Sequence, residues 1–99
     1  QAADSSDITV KAPDIAENGA VVPITVSSTL TGVTSIAILV EKNARPLTAS
    51  YDLAEGTEAY ISNRIKMGKT SDVVAVVKAD GKLYQAKKSV KVTIGGCGG

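Results

Sequence analysis

Nowhere in this chain do apolar residues recur every 3.6 positions over ten or more residues. They come in short β-branched runs cut by turn-forming residues. Ile8 to Ala12 alternates weakly and stops at Pro13, and Asp14 to Gly19 has the polar residues and glycine of a turn. Val21 to Ser27 puts Val22, Ile24 and Val26 on one face and Val21, Pro23 and Thr25 on the other. Pro23 cannot donate to a ladder, which predicts an edge position or a bulge there. Ser35 to Glu41 is a continuous apolar run, the pattern of a strand covered on both faces. Asn43 to Pro46 turns the chain, and Leu47 to Tyr51 and Glu58 to Lys66 read as further strands. After a loop at Met67 to Ser71, Asp72 to Ala79 and Lys82 to Ile94 form a pair joined by Asp80-Gly81, the dipeptide suited to a tight hairpin turn with positive φ.

About seven short strands at this spacing predict an all-β fold, an immunoglobulin-like antiparallel β-sandwich. Composition agrees, since the 43% apolar content is mostly Val, Ile, Ala and Leu, with three Tyr and no Phe or Trp. The Cys and Trp of antibody domains are missing, so the likeness is architectural. Ninety-nine residues support one core. The expected layout is a carrier domain over residues 1–94 and an appended arm over residues 95–99. Ser35 to Glu41 and Asp72 to Ala79 are apolar on both faces, which a sandwich wet on its outside does not require. Two readings fit: another chain covers an outer face, or Ala37, Ala75 and Val76 are scattered exposed apolar residues of an ordinary kind.

Eleven basic against ten acidic side chains give a net charge of +1, without the basic excess that nucleic acid requires. No apolar run is long enough to span a membrane, so no membrane role is expected. Histidine is absent and cysteine occurs once, which excludes an intramolecular disulfide, the usual zinc clusters and a Ser-His or Cys-His pair. No catalytic residue, metal or cofactor is expected, and an enzyme acting alone is not. Arg64, Lys66, Lys69 and the pair Lys87-Lys88 fit enzyme docking or anion attraction, though such residues more often form a solvated face. Tyr51, Tyr60 and Tyr84 read as core or interface side chains. The start at Gln1-Ala2-Ala3 fits removal of a targeting segment and fits a trimmed expression product equally well.

The chain ends Gly95-Gly96-Cys97-Gly98-Gly99. Four glycines around one cysteine predict a thin, mobile segment with a thiol near its tip, able to enter a narrow channel. From Ile94 the thiol reaches roughly 10 Å beyond the last strand. No Lys or Arg adjoins Cys97, and the nearest fixed charge is the Gly99 carboxylate. The thiol pKa is therefore expected at or above roughly 8.5, leaving activation to an enzyme pocket. An unused exposed thiol is an oxidation liability. The alternatives on composition alone are a labelling tag and an incidental dimerising cysteine.

The ending Lys91 to Gly99 resembles the SoxY family of the Sox sulfur-oxidation system, whose hallmark is a C-terminal GGCGG arm. The resemblance extends through Pro13 to Gly19, Val22-Pro23, Glu41-Lys42-Asn43, Arg64-Ile65-Lys66 and Lys69-Thr70 with Val73 to Val76, nearly the whole chain. It counts against the tag. What it implies is a periplasmic, heterodimeric carrier that pairs with a SoxZ subunit and holds thiosulfate-derived sulfur covalently on Cys97. Gly95, Gly96, Gly98 and Gly99 would give the arm its flexibility. In that family a haem-containing SoxAX enzyme joins thiosulfate oxidatively to the thiol, and a metal-dependent SoxB hydrolase releases the terminal sulfonate as sulfate. SoxCD, where present, oxidises the remaining sulfane sulfur. The N-terminus here is short, so no extra N-terminal element is implied.

Two rivals stand beside this reading. A ubiquitin-like carrier activates a terminal Gly-Gly carboxylate, but that fold needs a long helix across its sheet, and no segment here has helical periodicity. A plain immunoglobulin-like binding or structural module with an incidental cysteine would show no enzymatic loading of Cys97.

Overall fold

The computed structural model describes residues 2–95, which form a two-layer β structure with no helix among them. Nine strands follow one another in these residues: β1 Ala3–Asp4, β2 Ile8–Lys11, β3 Ile15–Ala16, β4 Val22–Ser28, β5 Val33–Val40, β6 Leu47–Asp52, β7 Tyr60–Ile65, β8 Ser71–Ala79 and β9 Lys82–Val92. One sheet has the order β1-β9-β8-β5-β6, with β3 also paired to β9, and the other has the order β2-β4-β7. The seven longer strands coincide with the seven apolar runs, so the sandwich expectation holds. The two additional strands are dipeptides, too short to show alternation. Each pairs parallel with β9, Ala3 opposite Tyr84 and Ile15 opposite Lys91. The N-terminal segment thus starts on the large sheet, crosses to the small one as β2 and returns, covering the β9 edge with short stubs.

Asp80 (φ 50°) and Gly81 (φ 77°) both take positive φ between the paired Ala79 and Lys82, which is the primed turn the dipeptide predicts. Pro23 lies on a strand that is central in its sheet, yet β2 reaches only as far as Thr25, so Pro23 has Arg64 of β7 opposite it and no strand on its other side. Its missing N–H costs no ladder bond.

Period two sends Ile36, Ile38 and Val40 of β5, and Val73, Ala75 and Val77 of β8, into the core beside Val22, Ile24 and Val26 of β4. Tyr51 and Tyr84 pack against this core, whereas Tyr60 is 54% exposed. On the outer face of the large sheet Leu39 pairs with Val74 and Ala37 with Val76. Gln85 and Lys87 of β9 lie opposite Val76 and Val74, and the exposed Leu47 lies opposite Leu39. That face therefore has an apolar centre and a polar side.

Candidate functional site

Cys97, Gly96, Gly98 and Gly99 lie outside the described residues, and what the structure describes is the base from which they depart. β9 ends at Val92, and the segment after it is held from two sides. On one side β3 pairs with Lys91 and Val92, the Thr93 N–H donates to the Ala16 carbonyl at 3.1 Å, and the Gly19 N–H donates to the Ile94 carbonyl at 2.7 Å. On the other side the Val92 N–H donates to Thr70 Oγ1 at 2.9 Å. The Met67 N–H closes the ring by donating to the Gly19 carbonyl at 2.6 Å, with the Met67 side chain fully buried beneath.

A second layer of contacts ties this ring to the turn between β5 and β6. Asn43, 8% exposed, donates through Nδ2 to the Lys66 carbonyl at 2.8 Å and accepts from the Gly68 N–H at 2.9 Å. Both ends of the amide are thus spent on backbone groups more than twenty residues away, which fixes the loop over Lys66 to Gly68. Gly68 in turn borders Gly95: a Cβ on Gly95 would stand 2.2 Å from the Gly68 carbonyl oxygen. Gly95 is therefore required by close backbone approach as well as by any need for flexibility.

Lys88 forms an ion pair with Asp14, just before β3, and the Lys91 N–H donates to the Asp14 carbonyl at 2.9 Å. The Lys88 hydrogen bond, followed by its charge, holds the Asp14 carboxyl below its ordinary range. Because the folded value is depressed, the pair's contribution is present at neutral pH and is lost as pH falls through that lowered value. Asp14 is fully exposed to solvent, so the effect on stability is small.

Four of the segments that carry the sequence resemblance thus meet in space. Pro13 to Gly19, Glu41 to Asn43, Arg64 to Lys66 and Lys69-Thr70 all lie around the root of the C-terminal segment. Sequence reasoning did not single out Asn43 or Gly68 as functional. The only signal for Asn43 was its place in the Glu41-Lys42-Asn43 match, and its partners are set by tertiary contact alone. Lys87 lies apart, opposite Val74 and near Glu41 at 3.9 Å. Among the described residues no group of three His, Cys, Asp or Glu side chains is placed to hold a metal ion.

The family model described as sulfur oxidation protein SoxY matches residues 1–97. Among solved structures, the sulfur carrier protein SoxY from Chlorobium limicola f thiosulfatophilum superposes with a TM-score of 0.82 at 47% identity, covering 92% of this chain and 83% of that one. A superoxide reductase (neelaredoxin) from Ignicoccus hospitalis superposes with a TM-score of 0.74 at 15% identity, covering 86% of this chain and 79% of that one. A variant of that reductase gives 0.75 at 16% identity, over 86% and 78%. These last two likenesses show a shared fold and nothing more. No curated protein matches the chain. With a family model spanning nearly its whole length and a sulfur carrier at 47% identity, this chain belongs to the SoxY family of sulfur oxidation proteins.

Proposed function

We propose that this protein carries sulfur-oxidation intermediates covalently on Cys97 and presents them to separate enzymes in the periplasm. Membership of the SoxY family supports a carrier role in sulfur oxidation. The observation that carries the finer reading is the ring at the root. Main-chain and side-chain bonds from Gly19, Asn43, Met67 and Thr70 fix the chain up to Ile94, immediately before a Gly-Gly-Cys-Gly-Gly sequence too poor in side chains to pack.

In the loading step the Cys97 sulfur forms a bond to the outer sulfur of thiosulfate, giving Cys97–S–S–SO3⁻. One proton leaves the thiol and two electrons pass, one at a time, to a haem-containing SoxAX-type enzyme and on to its electron acceptor. SoxB-type hydrolysis then adds water across the S–SO3⁻ bond and releases sulfate, leaving sulfane sulfur on Cys97. Where the host has SoxCD, that sulfur is oxidised in turn. The protein's own share is to supply the thiol and a fixed point of departure for it.

The test is incubation with thiosulfate and the conjugating enzyme, followed by peptide mass analysis. A thiosulfate-derived increment on the peptide containing Cys97 is expected, and an unloaded Cys97 with a demonstrably active enzyme contradicts the reading. The apolar outer face around Ala37, Leu39, Val74 and Val76 supports a partner there, and a SoxZ-like β protein is the proposed occupant. Sedimentation of the mixed chains should then give a one-to-one complex, lost when Leu39 and Val76 are both replaced by Lys. Association unaffected by these changes would place the partner elsewhere.

A further inference from the structure

At the open flank, where β6 and β7 form the adjacent edges of the two sheets, lies a cleft of about 290 Å³. Asn43, Thr48 and Asn63 line it together with Arg45, Arg64 and Lys66, and no carboxylate does. The neutral polar side chains each already have a partner within the protein. Asn43 holds the Lys66 carbonyl and the Gly68 N–H, Thr48 donates to the Ile38 carbonyl at 2.9 Å, and Asn63 donates to the Tyr51 hydroxyl while accepting from the Arg64 N–H. The charged donors are the three cations, and none of them takes part in an ion pair among the described residues.

Three uncompensated cations around a concavity at the small end of ligand pockets favour a small, multiply charged anion over an extended acidic peptide. Guanidinium groups match tetrahedral oxyanions with paired N–H donors. The cleft also adjoins the arm root, because Asn43 and Lys66 belong to both, and Gly68, held by Asn43, borders Gly95. From Gly95 to Cys97 is two residues, about 7 Å of extended chain.

We propose that this cleft is a binding site for a tetrahedral sulfur oxyanion. The identity of the anion rests on the carrier reading. The chemistry is shared by free thiosulfate or sulfate and by the sulfonate end of a group held on Cys97. Bound free, the anion is concentrated near the root of the segment that carries the receiving thiol. Bound through the arm, its charge is neutralised while the arm waits for an enzyme.

The test is a ¹⁵N chemical-shift titration of the full chain with sodium thiosulfate, against sodium chloride at equal ionic strength. Saturable shifts are expected at Arg45, Asn63, Arg64 and Lys66, absent in chloride. The double substitution Arg64→Gln and Lys66→Gln should weaken binding about tenfold or more, since charge-assisted hydrogen bonds are lost. Both side chains are exposed, and the same spectra report whether the variant is folded. To separate the sources, Cys97 is loaded with tetrathionate, from which the thiolate displaces thiosulfate and keeps –S–S–SO3⁻. If the tethered group fills the cleft, the loaded chain shows the shifts without added salt; if only the free ion binds, it titrates as the unloaded chain does. Shifts equal in chloride, centred on Lys87 and Lys88, or unchanged by the double substitution overturn the proposal. Should that happen while the conjugating enzyme still loads Cys97, the cleft is refuted and the carrier reading stands. Should the cleft titrate as described while Cys97 is never loaded, the anion site stands and the carrier reading falls.

Discussion

Cys97→Ser is expected to abolish enzymatic sulfur loading and to leave the melting temperature unchanged, because the thiolate is the nucleophile and the residue follows the last strand of the sandwich. A more informative partner for it is Gly96→Val, which keeps the thiol and its reach but adds a β-branched side chain and stiffens the backbone. If the arm must thread a narrow enzyme channel, loading and release by the Sox enzymes should fall about tenfold to a hundredfold. Reaction of Cys97 with a small thiol reagent should stay nearly constant. Survival of both reactions, or an equal fall in both, would refute the channel-threading role. Gly95→Val is a poorer probe of flexibility. Its Cβ would meet the Gly68 carbonyl oxygen at 2.2 Å, so it displaces the arm root as well as stiffening the arm.

Asn43→Ala should be the most damaging polar substitution at the arm root. It removes the donor to the Lys66 carbonyl and the acceptor for the Gly68 N–H, both in partly buried surroundings, and leaves two backbone groups without partners. Each such loss costs about 1–3 kcal/mol, so the pair should cost at least about 2 kcal/mol. For a domain of this size that lowers Tm by at least about 8 °C. Arg45→Ala, two residues on and exposed, should change Tm by no more than about 3 °C. Comparable shifts for the two variants would show that the Asn43 amide does not anchor this loop. Because the Lys66 to Gly68 loop borders Gly95, loading of Cys97 by the conjugating enzyme should fall in Asn43→Ala by more than its unfolded fraction accounts for.

The strands are legible where local chemistry alone determines them. Asp80-Gly81 requires positive φ whatever surrounds it, and the β8–β9 hairpin follows. The apolar runs locate the seven longer strands because burial on one face imposes period two. β1 and β3 are not legible, since a dipeptide has no period and Ala3, Asp4 and Ile15 are exposed; only their pairing to β9 makes them strands. Pro23 predicts an edge position or a bulge, whereas its strand lies centrally in the small sheet and only the early end of β2 leaves one side of Pro23 unpaired.

For the site, the single cysteine among glycines is visible at once because its chemistry is carried by composition. The root that positions it is not, because Gly19, Asn43, Met67 and Thr70 act through contacts between residues far apart in the chain. Asn43 looks like an ordinary turn residue, and its two long-range bonds exist only once both loops are in place. Arg64 and Lys66 stand out as charges, but their grouping with Arg45 around a cleft without carboxylates depends on β6 and β7 lying at adjacent sheet edges.

Transport of sulfur on Cys97 is tested most directly by intact-mass analysis of the native protein, isolated without reductant from cells oxidising thiosulfate. Adducts of sulfane sulfur or thiosulfonate are expected that are removed by reductant and map to the C-terminal peptide. A single unmodified mass, or adducts confined to other residues, would contradict it.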